Sequence, residues 1–456
     1  MSSNSTFLML MNNPKSTLVL CLFKQRMYRL FCICHRNLYR QRKAFLKGSF
    51  VQAAMMPTDV FLMVWSVLLA PCVWVQGDSS PNITDLTFKN MDFAMDVYRK
   101  ISSYHDNNIF FSPLCVSTAF TSLSLGACGS TRDQILKGLN LDLLEHRGGR
   151  SGLIPELFQH LQRNITQDDA LMFQQSTALF VGQDFEIEMA FSEQIKQFFG
   201  ADINNVDFGD PKVSMATINE YVRKQTGNKV KEMVTSIEPF TKLMLINTIY
   251  FKGAWDLPFD PNNTENGRFY VDKYNIVQVP MMFKDDKFYT TYDKELKVKV
   301  LRLPYVAGSA MLIVLPDADV DYTEVDEEIT ATRFTDWTQN LKKRKLEVHL
   351  PKFKMEQSYA LQKILPNLGI TDIFQDTANL TGLSKEPGLK VSEVLHKAVI
   401  EVDERGTVAA AATSVGITAY SLPQVFIVNR PFFFFIYHES TNSLLFMGRV
   451  IDPSKY

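Results

Sequence analysis

Near the end of this 456-residue chain, Phe432 to Ile436 place apolar side chains at five consecutive positions. Successive side chains of a strand point to opposite faces, so such a segment must be covered on both sides. That requires a layered domain of some size. The neighbouring runs QVFIV and SLLFMGRV read as further strands, with Ser440 to Ser443 as the turn between the last two. Earlier runs, KLMLINTIYF (242–251), AMLIVLP (310–316) and KLEVHLPKF (345–353), are also short, apolar or alternating, and end at Pro or Gly. Upstream the period is helical. Phe93, Val97 and Ile101 recur at helical spacing within 86–104, and Ala190 to Phe199 forms another patch. Ser112-Pro113 predicts a helix start, with Ser112 as cap and Pro113 in the first turn. Helices come mostly early and strands mostly late, which is an α+β order.

No Gly/Ser linker or internal repeat divides the chain after residue 77, so one domain is expected over 78–456. The N-terminal part differs in composition. Residues 1–54 hold nine of the 48 Lys/Arg and no acidic residue, and read as a basic leader, a gene-model extension. Residues 55–77 read as a signal peptide with its apolar core at Phe61 to Trp74 and Met55 or Met56 as the working start. Only one of the 49 Asp/Glu precedes Asp78, so the body carries 39 basic and 48 acidic residues, a net of −9. That balance argues against a nucleic-acid partner. Four N-glycosylation triplets, at Asn82, Asn164, Asn262 and Asn379, fit a secreted chain. Of six cysteines only Cys115 and Cys128 lie in the body; they read as buried thiols, with a bridge left open.

One stretch resists packing. Gly406 to Ser414 reads GTVAAAATS, ahead of Tyr420-Ser421. As a strand, one face would carry Thr407, Ala409, Ala411 and Thr413, the other Val408, Ala410, Ala412 and Ser414. Neither face holds a large or charged group, so the segment suits entry between two existing strands, with Gly406 as pivot. The fourteen residues Gly406 to Ala419 would span roughly 45 Å. A surface helix of alanines is the alternative, weakened by the β-branched Thr407, Val408, Thr413, Val415, Ile417 and Thr418.

No enzyme motif is found: no G-x-S-x-G, no H-E-x-x-H, no phosphate-cradling Gly loop and no C-x-x-C in the body. His396 stands alone on an apolar run and reads as a hydrogen-bonded core residue. No metal site or catalytic residue is assigned, and the chain is expected not to be an enzyme.

Six segments, NIFFSP (108–113), LINTIYFKGAW (245–255), LPKFKM (350–355), LHKAVIEVDERGT (395–407), NRPFFFFI (429–436) and LLFMGRVIDP (444–453), resemble the signature set of the serpin family, in order and spacing over 85–456. The resemblance implies three β-sheets, about nine helices and an exposed reactive loop near the C-terminus. It implies a metastable fold that relaxes by inserting that loop, and a suicide-substrate mechanism against a serine protease. Glu404, Gly406, Thr407 and Ala409 to Ala412 match the inhibitory hinge, and Val408 departs from the usual acidic residue. A non-inhibitory serpin, a carrier or binding module, is the alternative. Ser112, Asn247 and His396 match the shutter, where Cys115 replaces a small serine.

ITAYS (417–421) is similar to the reactive bond of serpins that act on coagulation factor Xa with protein Z as cofactor protein, and on factor XIa. That implies cleavage between Tyr420 and Ser421 and a secreted plasma monomer, reaching membranes only through protein Z. Asp106, Asp272, Lys273, Tyr274 and Glu327 are carried over as protein Z contacts. Glycosaminoglycan-binding lysines of such serpins are Glu145 and Gln159 here, and Arg147 and Arg150 are carried as heparin contacts in their place.

Overall fold

The computed structural model describes residues 82–148, 152–166, 172–238, 240–306, 308–405 and 424–455, all within one compact unit, Asp78–Tyr456. In chain order the described elements begin with α1 (Ile83–Ser102), β1 (Ile109–Phe111), α2 (Pro113–Ser124), α3 (Gly129–Gly138), α4 (Asp142–Gly148) and α5 (Leu153–Thr166). Then come β2 (Met172–Gly182), α6 (Met189–Phe199), β3 (Asp202–Val206), α7 (Pro211–Gln225), β4 (Leu243–Lys252), β5 (Glu265–Tyr270), β6 (Ile276–Asp293), β7 (Val298–Pro304) and β8 (Ser309–Pro316). The chain closes with α8 (Tyr322–Glu328), α9 (Ala331–Gln339), β9 (Lys342–Pro351), β10 (Phe353–Ala360), β11 (Glu393–Val402), β12 (Gln424–Ile427), β13 (Phe432–His438) and β14 (Ser443–Val450). Nine α-helices are thus present among the described residues.

The helix starts follow the capping chemistry. Asn82 accepts from the backbone of Thr84 and Asp85, and Asp85 returns the bond, a reciprocal cap. Ser112 caps α2 by accepting from the Cys115 amide, with Pro113 in the first turn. α2 is buried over its whole length although five of its residues are Ser or Thr. Hydroxyls of Thr121, Ser122 and Ser124 donate back to helix carbonyls at 2.6–2.7 Å, which removes the cost of burying them.

Five strands form one sheet in the order β10-β11-β4-β2-β3, and nine form a second along β1-β14-β13-β8-β7-β6-β9-β12, with β5 also on β6. β6 explains why three expected sheets appear as two ladders. It pairs β5 through its first residues and β7 through its last, joining two layers in one strand. β4, β8, β13 and β14 are apolar on both faces and buried on both, as their sequences demand. Rings of Phe432 and Phe434 meet Phe353, and Phe110 stacks on Phe434 and Phe446. Gly448 permits that packing: a Cβ there would stand 2.6 Å from the Phe434 ring and 2.7 Å from the Ile109 carbonyl.

Three sequence expectations shift. KLEVHLPKF is two strands, β9 and β10, broken where the Lys352 amide turns away to the Pro280 carbonyl at 2.8 Å. The last turn covers residues 439–442. Both body cysteines are free thiols; Cys115 is buried but Cys128 is half-buried, at the start of α3.

Candidate functional site

β11 and β4 pair in parallel, from Glu393 opposite Met244 to Ile400 opposite Phe251. Their outer neighbours, β10 and β2, are antiparallel to them. The centre of the five-stranded sheet is therefore a parallel seam, the weaker kind of pairing. The chain leaves β11 at Val402 and re-enters described structure at β12, which pairs with β9 in the other sheet. A segment that turned back just after β11 would run antiparallel to β11, and so antiparallel to β4 as well. One parallel pairing would become two antiparallel ones.

The turn-back point is pinned by a polar cluster. Glu404 is only 7% exposed. Its carboxylate pairs with Lys352 Nζ at 2.8 Å and accepts from Thr264 Oγ1 at 2.8 Å. Burial disfavours its ionised form, but the bonds from Lys352 and Thr264 outweigh that and hold it below the usual carboxylate range. Its carbonyl accepts from the Phe259 amide at 2.9 Å. Beside it, Trp255 Nε1 donates to the Asp403 carbonyl at 2.8 Å, and Lys252 Nζ reaches the carboxylates of Asp403 at 3.0 Å and Glu401 at 3.3 Å. Trp255 stacks on Tyr305 with ring centres 4.3 Å apart.

Halfway down the seam a second cluster crosses it. His396 of β11 and Asn247 of β4 are fully buried and directly opposite each other. The Ser112 amide donates to His396 Nε2 at 3.1 Å. That acceptor role leaves the proton on Nδ1, which donates to Asn247 Oδ1 at 2.7 Å. Asn247 Nδ2 donates in turn to Thr177 Oγ1 of β2 at 2.8 Å, and Ser112 Oγ donates to the Leu445 carbonyl at 2.7 Å. Burial lowers the His396 pKa to about 3, so the imidazole is neutral. It is a clasp across the seam, not a base. Burial likewise pushes the Cys115 thiol up to about 12, the nearby Ser112 hydroxyl opposing it only weakly, which leaves it unreactive.

The structure thus brings together Ser112, Asn247 and His396, and separately gives Glu404 its partners. Lys352, Thr264, Trp255 and Thr177 escaped the sequence reading. Lys352 lies within LPKFKM, but nothing in a sequence pairs it with a carboxylate 52 positions away. The hinge residues Gly406, Thr407, Val408 and Ala409 to Ala412, and the bond Tyr420-Ser421, lie outside the described residues.

The candidate protein Z contacts fall in two places. Asp272, Lys273 and Tyr274 form the exposed turn between β5 and β6, where Asp272 Oδ1 accepts from the amides of Tyr274 and Asn275 at 2.7 and 2.8 Å. The Asn275 amide side chain and these backbone donors hold Asp272 below its usual range. Tyr274 is 92% exposed. Asp106 and Glu327 are exposed around another centre, the buried Arg449, which pairs with Asp326 and takes the His105 and Asn107 carbonyls. Tyr98 donates to the same Asp326.

The positions compared with glycosaminoglycan-binding lysines are placed in part. Glu145 pairs with Arg132, and Gln159 Nε2 donates to the Gln197 carbonyl at 2.7 Å. The Arg147 side chain and all of Arg150 lie outside the described residues. Asn82, Asn262 and Asn379 are exposed and Asn164 half-buried in the last turn of α5. Residues 1–77 lie outside the described set. Among the described residues no metal-binding cluster occurs, and no helix is long and apolar enough to cross a membrane.

With this geometry in hand, the comparisons with known proteins are consistent. A model of the serpin (serine protease inhibitor) family matches residues 88–453. The protein Z-dependent protease inhibitor of Homo sapiens is 40% identical over 370 residues, covering 81% of this chain and 83% of that protein. The crystal structure of the mouse protein Z-dependent protease inhibitor superposes with a TM-score of 0.77 at 37% identity, covering 81% of this chain and 98% of that one. A structure of human thyroxine-binding globulin complexed with thyroxine matches with a TM-score of 0.76 at 33% identity, covering 82% and 100%.

Proposed function

The chain belongs to the serpin family, and on that premise we propose that it is a secreted suicide-substrate inhibitor of a serine protease, cleaved between Tyr420 and Ser421. The observation that carries this reading is the parallel seam between β11 and β4, followed directly by a segment small on both faces. The protease serine attacks the Tyr420 carbonyl carbon. The peptide bond breaks, the Ser421 amine leaves with a proton, and an ester joins Tyr420 to the protease. Freed at its far end, the segment after Glu404 enters the seam and carries the acylated protease roughly 45 Å. Distortion of the protease before water hydrolyses the ester traps the complex. The chemistry is the protease's; this chain supplies the bait and a sheet that accepts one more strand.

The similarity to protein Z-dependent inhibitors supports coagulation factor Xa as target with protein Z as cofactor protein, and factor XIa. Asp272, Lys273, Tyr274, Asp106 and Glu327 are exposed, as protein Z contacts must be. Incubation with factor Xa, protein Z, calcium and phospholipid vesicles is expected to give an SDS-stable covalent band. Active protease beside cleaved chain would reject the reading. The similarity to a thyroxine-binding protein favours a second reading, a non-inhibitory carrier; the two part on the response to loop cleavage discussed below.

A further inference from the structure

We propose that the buried Arg449 is a positioning residue for the exposed carboxylates Asp106 and Glu327, fixing the backbone beneath both so that they meet a basic protein surface as a pair. This rests on the reading of Asp106 and Glu327 as protein Z contacts and adds what holds them in place.

The two acids come from elements distant in sequence. Asp106 lies in the turn between α1 and β1, and Glu327 in the last turn of α8. Arg449 of β14, only 3% exposed, reaches both elements. Its Nη2 donates to the His105 carbonyl at 2.6 Å and to the Asn107 carbonyl at 3.2 Å, the two carbonyls that bracket Asp106. Its Nη1 pairs with the carboxylate of Asp326, the residue before Glu327. One planar guanidinium thus spans the two elements, a task suited to its rigid fork of donors and not to a point-like ammonium.

The surroundings complete the frame. Tyr98 of α1 donates to the other oxygen of Asp326. The Arg449 guanidinium lies over the Tyr322 ring of α8, 5.5 Å from its centre. Asn108 bolts the far end of the turn to the exit of β14: its Oδ1 accepts from the amides of Ile451 and Asp452 at 2.7 and 3.0 Å, and its Nδ2 donates to the Asp452 carbonyl at 2.7 Å.

A buried ion pair is a poor source of stability, because both charges leave water. Burial outweighs the charge of Arg449 and raises the Asp326 carboxyl above its usual range. What the pair supplies is spacing. Acids on a loose turn must be ordered when a partner binds, at a cost to affinity, whereas acids on a braced backbone are ordered already. Asp106 and Glu327 are both exposed, and neither has an ion-pair partner among the described residues. Two free carboxylates at a set spacing select lysine or arginine side chains on the partner and make the contact salt-sensitive.

The test measures the affinity of the full chain for protein Z at several salt concentrations. Arg449→Lys keeps a charge beside Asp326 but loses the fork that reaches both carbonyls. It is expected to weaken binding about fivefold to tenfold, the scale of coupling within one network, and to keep the salt dependence of the parent, since no surface charge is lost. Asp106→Asn/Glu327→Gln is expected to weaken binding and to flatten the salt dependence. In that background Arg449→Lys is expected to cost nothing further. A merely structural role predicts an equal loss in both backgrounds, because the contacts around Tyr274 would suffer alike, and that result overturns the proposal. So does an Arg449→Lys chain that binds as tightly as the parent. Tyr98→Phe loosens Asp326 without touching a charge and serves if Arg449→Lys does not fold. It is expected to give the same pattern with a smaller loss, and an equal loss in both backgrounds again overturns the proposal. A parent chain that does not bind protein Z, or an Asp106→Asn/Glu327→Gln chain that binds like the parent, rejects the contact reading itself and this proposal with it.

Discussion

Glu404 stands two residues beyond β11, and its partners come from distant parts of the chain: Lys352 between β9 and β10, Thr264 just before β5. Glu404→Lys would place two ammonium groups together in a mostly buried site and strip Thr264 of its acceptor. Lys352 is partly exposed, so breaking the pair and leaving its partners unmatched costs about 1–3 kcal/mol. Because the cluster holds the turn at the head of the seam, the expected result is a sheet that opens too early. Yield of monomer should fall and self-association on mild warming should rise, read by size-exclusion chromatography. A variant that stays monomeric with an unchanged melting temperature would remove the cluster from this role. His396 gives a pH signature with a definite sign. Its folded pKa, about 3, lies below the unfolded value near 6.5. Between those values the unfolded chain binds the proton and the folded one does not. The clasp's stability is therefore complete above about pH 6.5 and is lost as pH falls toward 3, by up to about 1.4 kcal/mol per pH unit. Thermal half-life should shorten over that window more steeply for the parent than for His396→Gln, in which the titrating group is gone. Parallel profiles would show that His396 does not hold the seam.

At the level of elements, β4 is buried on both faces along nearly its whole length. A strand entering beside it meets packed surfaces on both sides, which is why alanines at 409–412 matter. Ala410→Arg would bury an unpaired charge at several kcal/mol. Entry slows by about tenfold for each 1.4 kcal/mol, while attack at Tyr420 is untouched. The number of chains cleaved per protease inhibited should rise at least tenfold with an unchanged cleavage rate; an unchanged ratio would mean that the segment does not enter the sheet. The elements also show what could be read in advance. Strands apolar on both faces, such as β4, β8, β13 and β14, declare themselves, because each is a short apolar run rich in β-branched or aromatic residues and bounded by turn signals, too short for a buried helix. β2, β3 and β5 did not. MFQQSTALFVG mixes polar and apolar residues because β2 gains its stability from β4 and β3, neighbours distant in sequence. Ser112 was legible as a helix cap, since a cap is local. Its second task, an amide donated to His396, was not, because that bond joins residues 284 positions apart. The seam is of the same kind: GTVAAAATS says that a strand is small, and only the paired β11 and β4 say where such a strand fits.

For the whole molecule the question is whether the five-stranded sheet is a resting state or a final one. An inhibitor needs a fold that gains stability once the loop is cut, whereas a carrier does not. If roughly ten residues enter the seam, each adds about one backbone hydrogen bond's net worth, near 1 kcal/mol, and the gain is about 10 kcal/mol before packing is counted. For a domain of this size 1 kcal/mol moves the melting temperature by about 2 °C. Cleavage at or near Tyr420 should therefore raise it by about 20 °C or more, measured by calorimetry on intact and cleaved chain. N-terminal sequencing of the released fragment, expected to begin at Ser421, fixes the bond that was cut. A cleaved chain that melts within a few degrees of the intact one has kept its loop out. The seam between β11 and β4 would then be a stable end point, and the carrier reading would replace the inhibitor.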